Sequence, residues 1–414
     1  MIIVGGTYQE LVVQPESSDL LGSGMRAAAA LANRSDPPTL HTALDSQSRE
    51  EAELVASSLR VRLGAIAERD ELVAFRYLTP ISTPAINGPN SRLVGTSSID
   101  ASDETALVFG MVEAPTSGVK VAASRIILDP QRPRDAEPLV LDGLEADEYL
   151  VVANVSEMRK LGQSNDLRAA ASQLLATHPQ VLGTITKRGA AGCLVSRRHG
   201  SEIEHTIVGA HPTDRVWPIG SGDVFSAGFA HAIDADADLV EAARLGSAAA
   251  AHWCSTRSLA ITPKILASDF SDLPPAIDPA RVRVYLAGPF FTLGERWLVE
   301  TVRDELLSLG VEVWSPVHEV GPGGLEVAIQ DLAGLNECDV MLALLDHGDP
   351  GTIFEVGWAA RQGMPIIGYG QVIDGEGAKM LAGTSVEIHR DLSTACYRAA
   401  WAGMGLRPRP GWAT

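Results

Sequence analysis

The stretch that decides the fold runs from Val282 to Tyr369. It opens Val282-Arg-Val-Tyr-Leu-Ala-Gly-Pro-Phe-Phe291 and passes through Asp331-Leu-Ala-Gly-Leu-Asn-Glu-Cys-Asp339 and Val340-Met-Leu-Ala-Leu-Leu-Asp346. It closes with His347-Gly-Asp-Pro-Gly-Thr-Ile-Phe-Glu355 and Pro365-Ile-Ile-Gly-Tyr369. Trp297, Leu298, Val302, Leu306 and Leu309 recur at helical spacing, which predicts a helix over 295–309 stopped by Gly310. Residues 282–287 and 311–315 read as strands, and 328–336 as a helix bearing Asp331. The run 339–346 is almost wholly apolar, as in a parallel strand covered on both faces. A helix over 352–362 bears Glu355, and a strand follows over 365–369. This alternation predicts a doubly wound α/β domain, whose ligands lie at the carboxyl ends of the strands. Tyr285 to Phe291, Asp349 and Glu355 belong to that edge.

Glu355 is expected in the first turn of its helix, where backbone N–H groups and the helix dipole favour the ionised carboxylate. Such a group suits attack on an electron-poor sugar carbon, with Asp331 and Asp349 handling protons on the leaving group. Carboxylates flanking one glycosidic bond are the arrangement this cleavage uses. A purely structural account also fits, with Asp349 making an Asx turn with Pro350 and Gly351 and Glu355 stabilising a helix start.

With these elements in this order, the stretch resembles the nucleoside 2-deoxyribosyltransferases. The resemblance rests on Tyr285-Leu-Ala-Gly288-Pro-Phe-Phe, Asp331 to Asp339, Asp349 with Glu355, and Glu355-Val-Gly-Trp-Ala359. It implies that Glu355 is a nucleophile forming a glycosyl-enzyme intermediate. It further implies that Asp331 and Asp349 position the base and move its proton, and that Tyr285 orients the nucleophile. Gly288, Phe290, Phe291, Arg296 and Gly351 are the expected substrate contacts, with no cofactor. The transferases carry a residue near the C-terminus, typically asparagine, that reaches the sugar of a neighbouring subunit. Gly383-Thr-Ser-Val-Glu387 has no asparagine, so hydrolysis and transfer both stay open. Related enzymes of this fold hydrolyse nucleoside monophosphates, holding the phosphate on a Ser- and Arg-containing loop after the first strand. Here that loop opens apolar, which favours an unphosphorylated sugar, while Thr292 and Arg296 keep the monophosphate open.

The chain has 414 residues, enough for two or three domains, and 45% of them are hydrophobic, ample for packed cores. A net charge of −19 repels nucleic-acid backbones and anionic membranes. No polynucleotide or membrane partner is therefore expected; the expected ligand is a small nucleoside or nucleotide. Cys193, Cys254, Cys338 and Cys396 are far apart and the ten histidines show no ligand spacing, so no metal site built from these side chains is expected. No basic-then-apolar leader is seen at Met1 and no apolar run is long enough to span a membrane, which leads to the expectation of a cytoplasmic protein.

Upstream, residues 1–4, 39–44, 72–77, 106–112, 125–129, 148–153, 181–186, 192–195 and 205–209 read as strands or strand-like runs. Residues 25–33, 49–63 and 166–176 read as helices. Pro218-Ile-Gly-Ser-Gly-Asp223 then leads into an apolar helix. Three consecutive N–H groups at such a helix start form an anion hole for phosphate, and Asp223 at its lip can take a proton from an attacking hydroxyl. A Gly-rich loop with a capping aspartate is the structural alternative.

Together with Leu128-Asp129-Pro130, Asn154-Val-Ser-Glu157 and Thr186-Lys-Arg-Gly189, this motif resembles the ribokinase-like (PfkB-type) sugar and nucleoside kinases. The resemblance implies a ribokinase-like αβα domain over 1–268, a linker over 269–281, and a flavodoxin- or Rossmann-like α/β domain over 282–414. It implies Asp223 as catalytic base and Gly220, Ser221 and Gly222 as the anion hole. Asn154 and Glu157 would organise Mg²⁺ and phosphate, and Thr186 to Gly189 would lie by the ATP. At the substrate end the sequence departs from this family. Glu10 stands where an aspartate clamps sugar hydroxyls, Gly22-Ser-Gly-Met-Arg26 replaces Gly-Gly-x-x-x-Asn, and Trp217-Pro218 precedes the Gly-rich loop. Two roles follow: an enzyme whose second domain cleaves or transfers at the N-glycosidic bond while its first phosphorylates the released sugar or the nucleoside, or a nucleotide-sensing domain controlling a hydrolase. Homo-oligomerisation is expected from both families.

Overall fold

The computed structural model describes residues 1–88, 91–111, 118–131, 139–200, 202–278, 280–321, 323–373, 379–381 and 383–412. The chain divides into two compact units. The first comprises Met1–Arg188, Gly192–His211 and Trp217–Pro274; the second comprises Gly189–Ala191, Pro212–Val216 and Pro275–Thr414.

Among the described residues the first unit is built on thirteen strands, β1 (Ile2–Val4), β2 (Gln9–Val12), β3 (Ser17–Leu20), β4 (Thr39–Leu44), β5 (Arg62–Glu68), β6 (Ala74–Tyr77), β7 (Ala85–Asn87), β8 (Ile99–Phe109), β9 (Val119–Asp129), β10 (Leu144–Asn154), β11 (Val181–Lys187), β12 (Cys193–His199) and β13 (Glu202–Val208). Nine form one sheet in the order β13-β12-β11-β10-β9-β8-β1-β4-β5. It is parallel from β11 to β5 and closed by the antiparallel β12 and β13. A four-stranded sheet, β3-β2-β6-β7, carries Glu10.

Successive residues of a strand face opposite sides, so one apolar strand feeds two cores. Ile3, Leu150 and Val152 enter one core, with the helices Ser221–Asp234 and Leu239–Thr256; Ile2, Val4, Val151 and Ala153 enter the other, with Leu167–Thr177. This is an αβα sandwich. The helix expected over 49–63 ends at Ser58, and Leu63 lies in β5. Arg60 adopts positive φ there, a turn that helical periodicity alone does not register. The strands β3 and β7 carry no clear apolar alternation; of the expected 106–112 strand, residues up to Phe109 form the end of the longer β8, and Val112 lies outside the described residues.

The second unit holds β14 (Arg283–Ala287), β15 (Glu312–Trp314), β16 (Val340–Leu344), β17 (Ile366–Tyr369), β18 (Glu387–His389) and β19 (Gly411–Trp412). They form an all-parallel sheet in the order β15-β14-β16-β17-β18-β19. Every residue of β16 is buried, as its unbroken apolar run requires. The order reverses between β14 and β16, so the crevice beyond their carboxyl ends is the topological switch point. The Gly-rich loop expected at 371–378 lies largely outside the described residues. No helix among the described residues is long and apolar enough to cross a membrane. Cys193, Cys338 and Cys396 are buried, Cys254 is half-buried, and all four are free thiols.

Candidate functional sites

At the switch point of the second unit, the Tyr285 hydroxyl donates to Glu355 Oε1 at 2.6 Å. Tyr285 is fully buried on β14 and stacks on Trp314 of β15, with ring centroids 5.1 Å apart and an interplanar angle of 13°. The Trp314 indole in turn lies against Gly334 of the helix Leu325–Asn336, where a Cβ would stand 2.2 Å from the ring. That close approach packs the Asp331-bearing helix against the aromatic pair. Position 334 therefore needs glycine, and the chain Gly334–Trp314–Tyr285 fixes the hydroxyl that holds Glu355.

Glu355 lies in the second turn of the helix Pro350–Arg361, not the first, because Asp349 caps that helix and Pro350 begins it. The expected stabilisation of its ionised form by the helix start is therefore corrected. Burial pushes its pKa up to about 7, and the charges of Asp331 and Asp349 push the same way, against the lowering effect of the Tyr285 hydrogen bond. The Tyr285 phenol is raised by burial and by the Glu355 charge beside it. Asp331 is raised by burial, and its Oδ1 is buried without a hydrogen-bond partner among the described residues. Asp349 Oδ2 accepts from Thr352 N (2.7 Å) and Thr352 Oγ1 (2.9 Å), which is the capping role that its position before Pro350 allows.

The loop after β14 is organised by its own side chains. Thr292 and Glu295 form a capping box for the helix Leu293–Ser308. Glu295 Oε2 accepts from Phe291 N (2.9 Å) and Thr292 N (2.7 Å), and Arg296 Nε donates to Phe290 O (2.8 Å). Phe290 and Phe291 stack at 5.3 Å, and Phe291 is exposed. Gly288 lies against Leu344, and Gly351 against Asp349.

In the first unit, Asp223 lies in the first turn of the helix Ser221–Asp234, whose cap Gly220 has φ +76°. Ser221 N–H closes a turn onto Pro218 O (3.0 Å), and Val224 N–H starts the helix ladder on Gly220 O (3.1 Å). The turn thus takes Ser221 N–H out of the expected run of phosphate-binding N–H groups. Lys187, at the end of β11, donates to Asp129 Oδ2 (2.6 Å), and its Nζ stands 3.3 Å from where a Cβ on Gly222 would be. Ser226 also donates to Asp129 Oδ2 (2.7 Å). Asn154 and Glu157 cap the helix Val155–Leu161 reciprocally, Asn154 N to Glu157 Oε2 (2.7 Å) and Glu157 N to Asn154 Oδ1 (2.9 Å). Burial first, then the Asp129 charge, pushes the Glu157 pKa up to about 7. Thr186 is buried on β11, and Gly189 belongs to the second unit, against Leu309 and Tyr397.

The substrate end of this unit holds residues that sequence pattern left unassigned. Arg26 is fully buried. Its Nη2 donates to Glu10 Oε2, and its Nη1 to Asp223 Oδ2 at 2.8 Å. Gln131 Nε2 donates to the other oxygen, Asp223 Oδ1, at 2.8 Å. Burial raises the pKa values of Glu10 and Asp223 against the lowering effect of Arg26. The sequence had signalled Glu10, Asp223 and the replacement of asparagine by Arg26, but not that they meet; Gln131 gave no signal.

The residues present fit a nucleotide phosphate and its metal. A helix start with free N–H groups and the Lys187 ammonium suit phosphate oxygens. Asp129 keeps a buried Oδ1 without a partner among the described residues, and Mg²⁺ needs only one or two carboxylates besides phosphate and water. Asp129 and Glu157 are the residues that would hold it. Among the described residues no cluster of three or more His, Cys, Asp or Glu forms a metal site by itself.

Residues 85–265 match the family model of the pfkB family carbohydrate kinases, and residues 284–387 match that of nucleoside 2-deoxyribosyltransferase. Ribokinase from Arabidopsis thaliana, solved with ribose and ATP, is 17% identical, with 65% of this chain and 98% of that chain covered and a TM-score of 0.45. For ribokinase from Giardia lamblia the figures are 14%, 66%, 99% and 0.49. For phosphofructokinase-2 from Escherichia coli, in complex with substrates and products, they are 14%, 64%, 98% and 0.45. No curated protein matches the chain. Two α/β domains of enzyme families are thus joined in one polypeptide. The chain is a fusion of a pfkB-type carbohydrate kinase domain with a nucleoside 2-deoxyribosyltransferase domain.

Proposed function

We propose that the second domain cleaves the N-glycosidic bond of a nucleoside through Glu355. The observation that carries this reading is the 2.6 Å hydrogen bond from Tyr285 to Glu355 at the switch point, with Asp331 and Asp349 close enough to raise the Glu355 pKa. Ionised Glu355 attacks the anomeric carbon. The new C–O bond forms as the C–N bond breaks, and the base leaves with the electron pair. Asp331, kept protonated to higher pH by burial, gives the base its proton, and Asp349 orients the base. Water or a second base then releases the sugar from Glu355. A pKa of about 7 leaves roughly half of Glu355 ionised at neutral pH. The N–H groups of Phe291 and Thr292, which a sugar phosphate would need, are already taken by Glu295, so an unphosphorylated substrate is favoured. The test is a panel of nucleosides and their monophosphates incubated without ATP. Free base released from nucleosides and lost in Glu355→Gln supports the reading; a Glu355→Gln protein as active as wild type refutes it.

For the first domain, we infer that it binds a nucleotide through Gly222, Asp223 and Lys187, with ATP and Mg²⁺ as the ligands. The functional division is taken as residues 1–268 and 282–414 about a linker at 269–281, in a homo-oligomer. The domain could phosphorylate the released sugar or the nucleoside, or it could sense nucleotide and regulate the second domain. The burial of Arg26 between Glu10 and Asp223 favours sensing. Consumption of ATP with a sugar or nucleoside acceptor would refute that choice, whereas an ATP-dependent rise in melting temperature without consumption supports it.

A further inference from the structure

Resting on the nucleotide-binding reading of the first domain, we propose that Arg26 is a built-in occupant of the phosphoryl-acceptor position. The domain then holds a nucleoside triphosphate without transferring its phosphate. A hydroxyl acceptor must bring its proton within about 3 Å of the general base. Both Asp223 oxygens are already engaged, Oδ2 by Arg26 at 2.8 Å and Oδ1 by Gln131 at 2.8 Å. The guanidinium also fills the space above the phosphate loop: a Cβ on Gly220 would stand 2.1 Å from Arg26 Nε. On a further side lies the Trp253 ring, 5.3 Å from the guanidinium carbon, and Trp253 Nε1 is tied to Ile219 O at 2.8 Å. Glu10, which stands where sugar hydroxyls would be gripped, gives its Oε2 to the same guanidinium. Arg26 thus fills the acceptor position and, with Gln131, engages the base, while the phosphate-side groups Gly222 and Lys187 are left for the nucleotide.

The inference is tested with Arg26→Asn, which removes the charge and opens the position to water. Water oxygen can then attack the terminal phosphorus as the bond to the ADP oxygen breaks, with the water proton passing to Asp223. Calorimetry with ADP and Mg²⁺ reads binding independently of turnover, and phosphate release from ATP reads the unlocked reaction. The expected result is ADP binding within about threefold of wild type and phosphate release at least about tenfold faster, a gain abolished by adding Asp223→Asn. Arg26→Gln, which removes the charge but keeps a longer side chain than asparagine, serves if Arg26→Asn does not fold. A variant that binds ADP and releases no more phosphate than wild type overturns the inference. So does wild-type transfer of phosphate to a sugar or nucleoside. Absence of ADP binding in wild type removes the nucleotide reading on which the inference rests, and is seen before any variant is made.

Discussion

The two domains each bury a carboxylate at the carboxyl edge of a parallel sheet, and they treat it in opposite ways. Glu355 is held by a neutral hydroxyl, Tyr285, and keeps a pKa of about 7, so it can alternate between ionised and protonated forms near neutrality. Asp223 is held by the Arg26 guanidinium on one oxygen and the Gln131 amide on the other. Burial raises the pKa of both, but the partner decides the outcome. A neutral donor steadies a carboxylate without cancelling its charge, whereas a buried cation neutralises it and fills the space a substrate would use. The contrast supports the proposed bond cleavage in the second domain and the proposed ligand holding in the first.

The largest test of this contrast is Glu355→Gln, which should lower nucleoside cleavage by about 10³-fold or more because the amide cannot form the glycosyl-enzyme bond. Base release measured by chromatography reads it. On the other side, Arg26→Ala should lower the stability of the first domain by about 3–5 kcal/mol, since it strands Glu10 and Asp223 in the interior. Denaturant unfolding measures that cost, and a loss below about 1 kcal/mol would mean the guanidinium does not hold the pair together.

Tyr285→Phe should lower cleavage by roughly 10–100-fold. It should also move the pH profile. Wild-type activity should rise as pH increases through about 7, because the attacking form of Glu355 is the ionised one. Removing a hydrogen bond that lowers this pKa should shift the rise to higher pH. A profile unchanged in Tyr285→Phe would detach Tyr285 from the nucleophile.

The smallest expected effect is a gain in stability. The folded-state pKa of Glu355 lies above the ordinary 4.5, so the folded protein holds a proton that the unfolded chain releases between pH 4.5 and about 7. Stability therefore falls as pH rises through that window, and the full cost is present above it. Glu355→Gln should be more stable than wild type at pH 8 by roughly 1–3 kcal/mol, with the difference vanishing towards pH 4.5. Thermal melts at the two pH values decide it.

Much of the architecture was legible in local pattern. The unbroken apolar run of β16, the helical spacing of Val302, Leu306 and Leu309, and Pro350 after a capping Asp349 act through near neighbours in sequence. Where local pattern failed, the cause was equally local. The turn at Arg60 ended a helix that periodicity extended to 63, and the capping role of Asp349 moved Glu355 one turn further along its helix. Strands as short and polar as β3 and β7 offer no alternation to read; their partners, β2 and β6, decide that they are strands.

The sequence by itself determined two α/β domains, the Gly-Ser-Gly-Asp loop, and the carboxylates Asp331, Asp349 and Glu355 along one stretch. Only the tertiary structure decided which carboxylate stays usable. Arg26 and Asp223 are 197 positions apart, and Tyr285 and Glu355 are 70 apart. Periodicity and spacing describe neighbours along the chain, whereas the charge state of a buried group is set by whichever distant side chain the fold brings against it and by how much water it excludes.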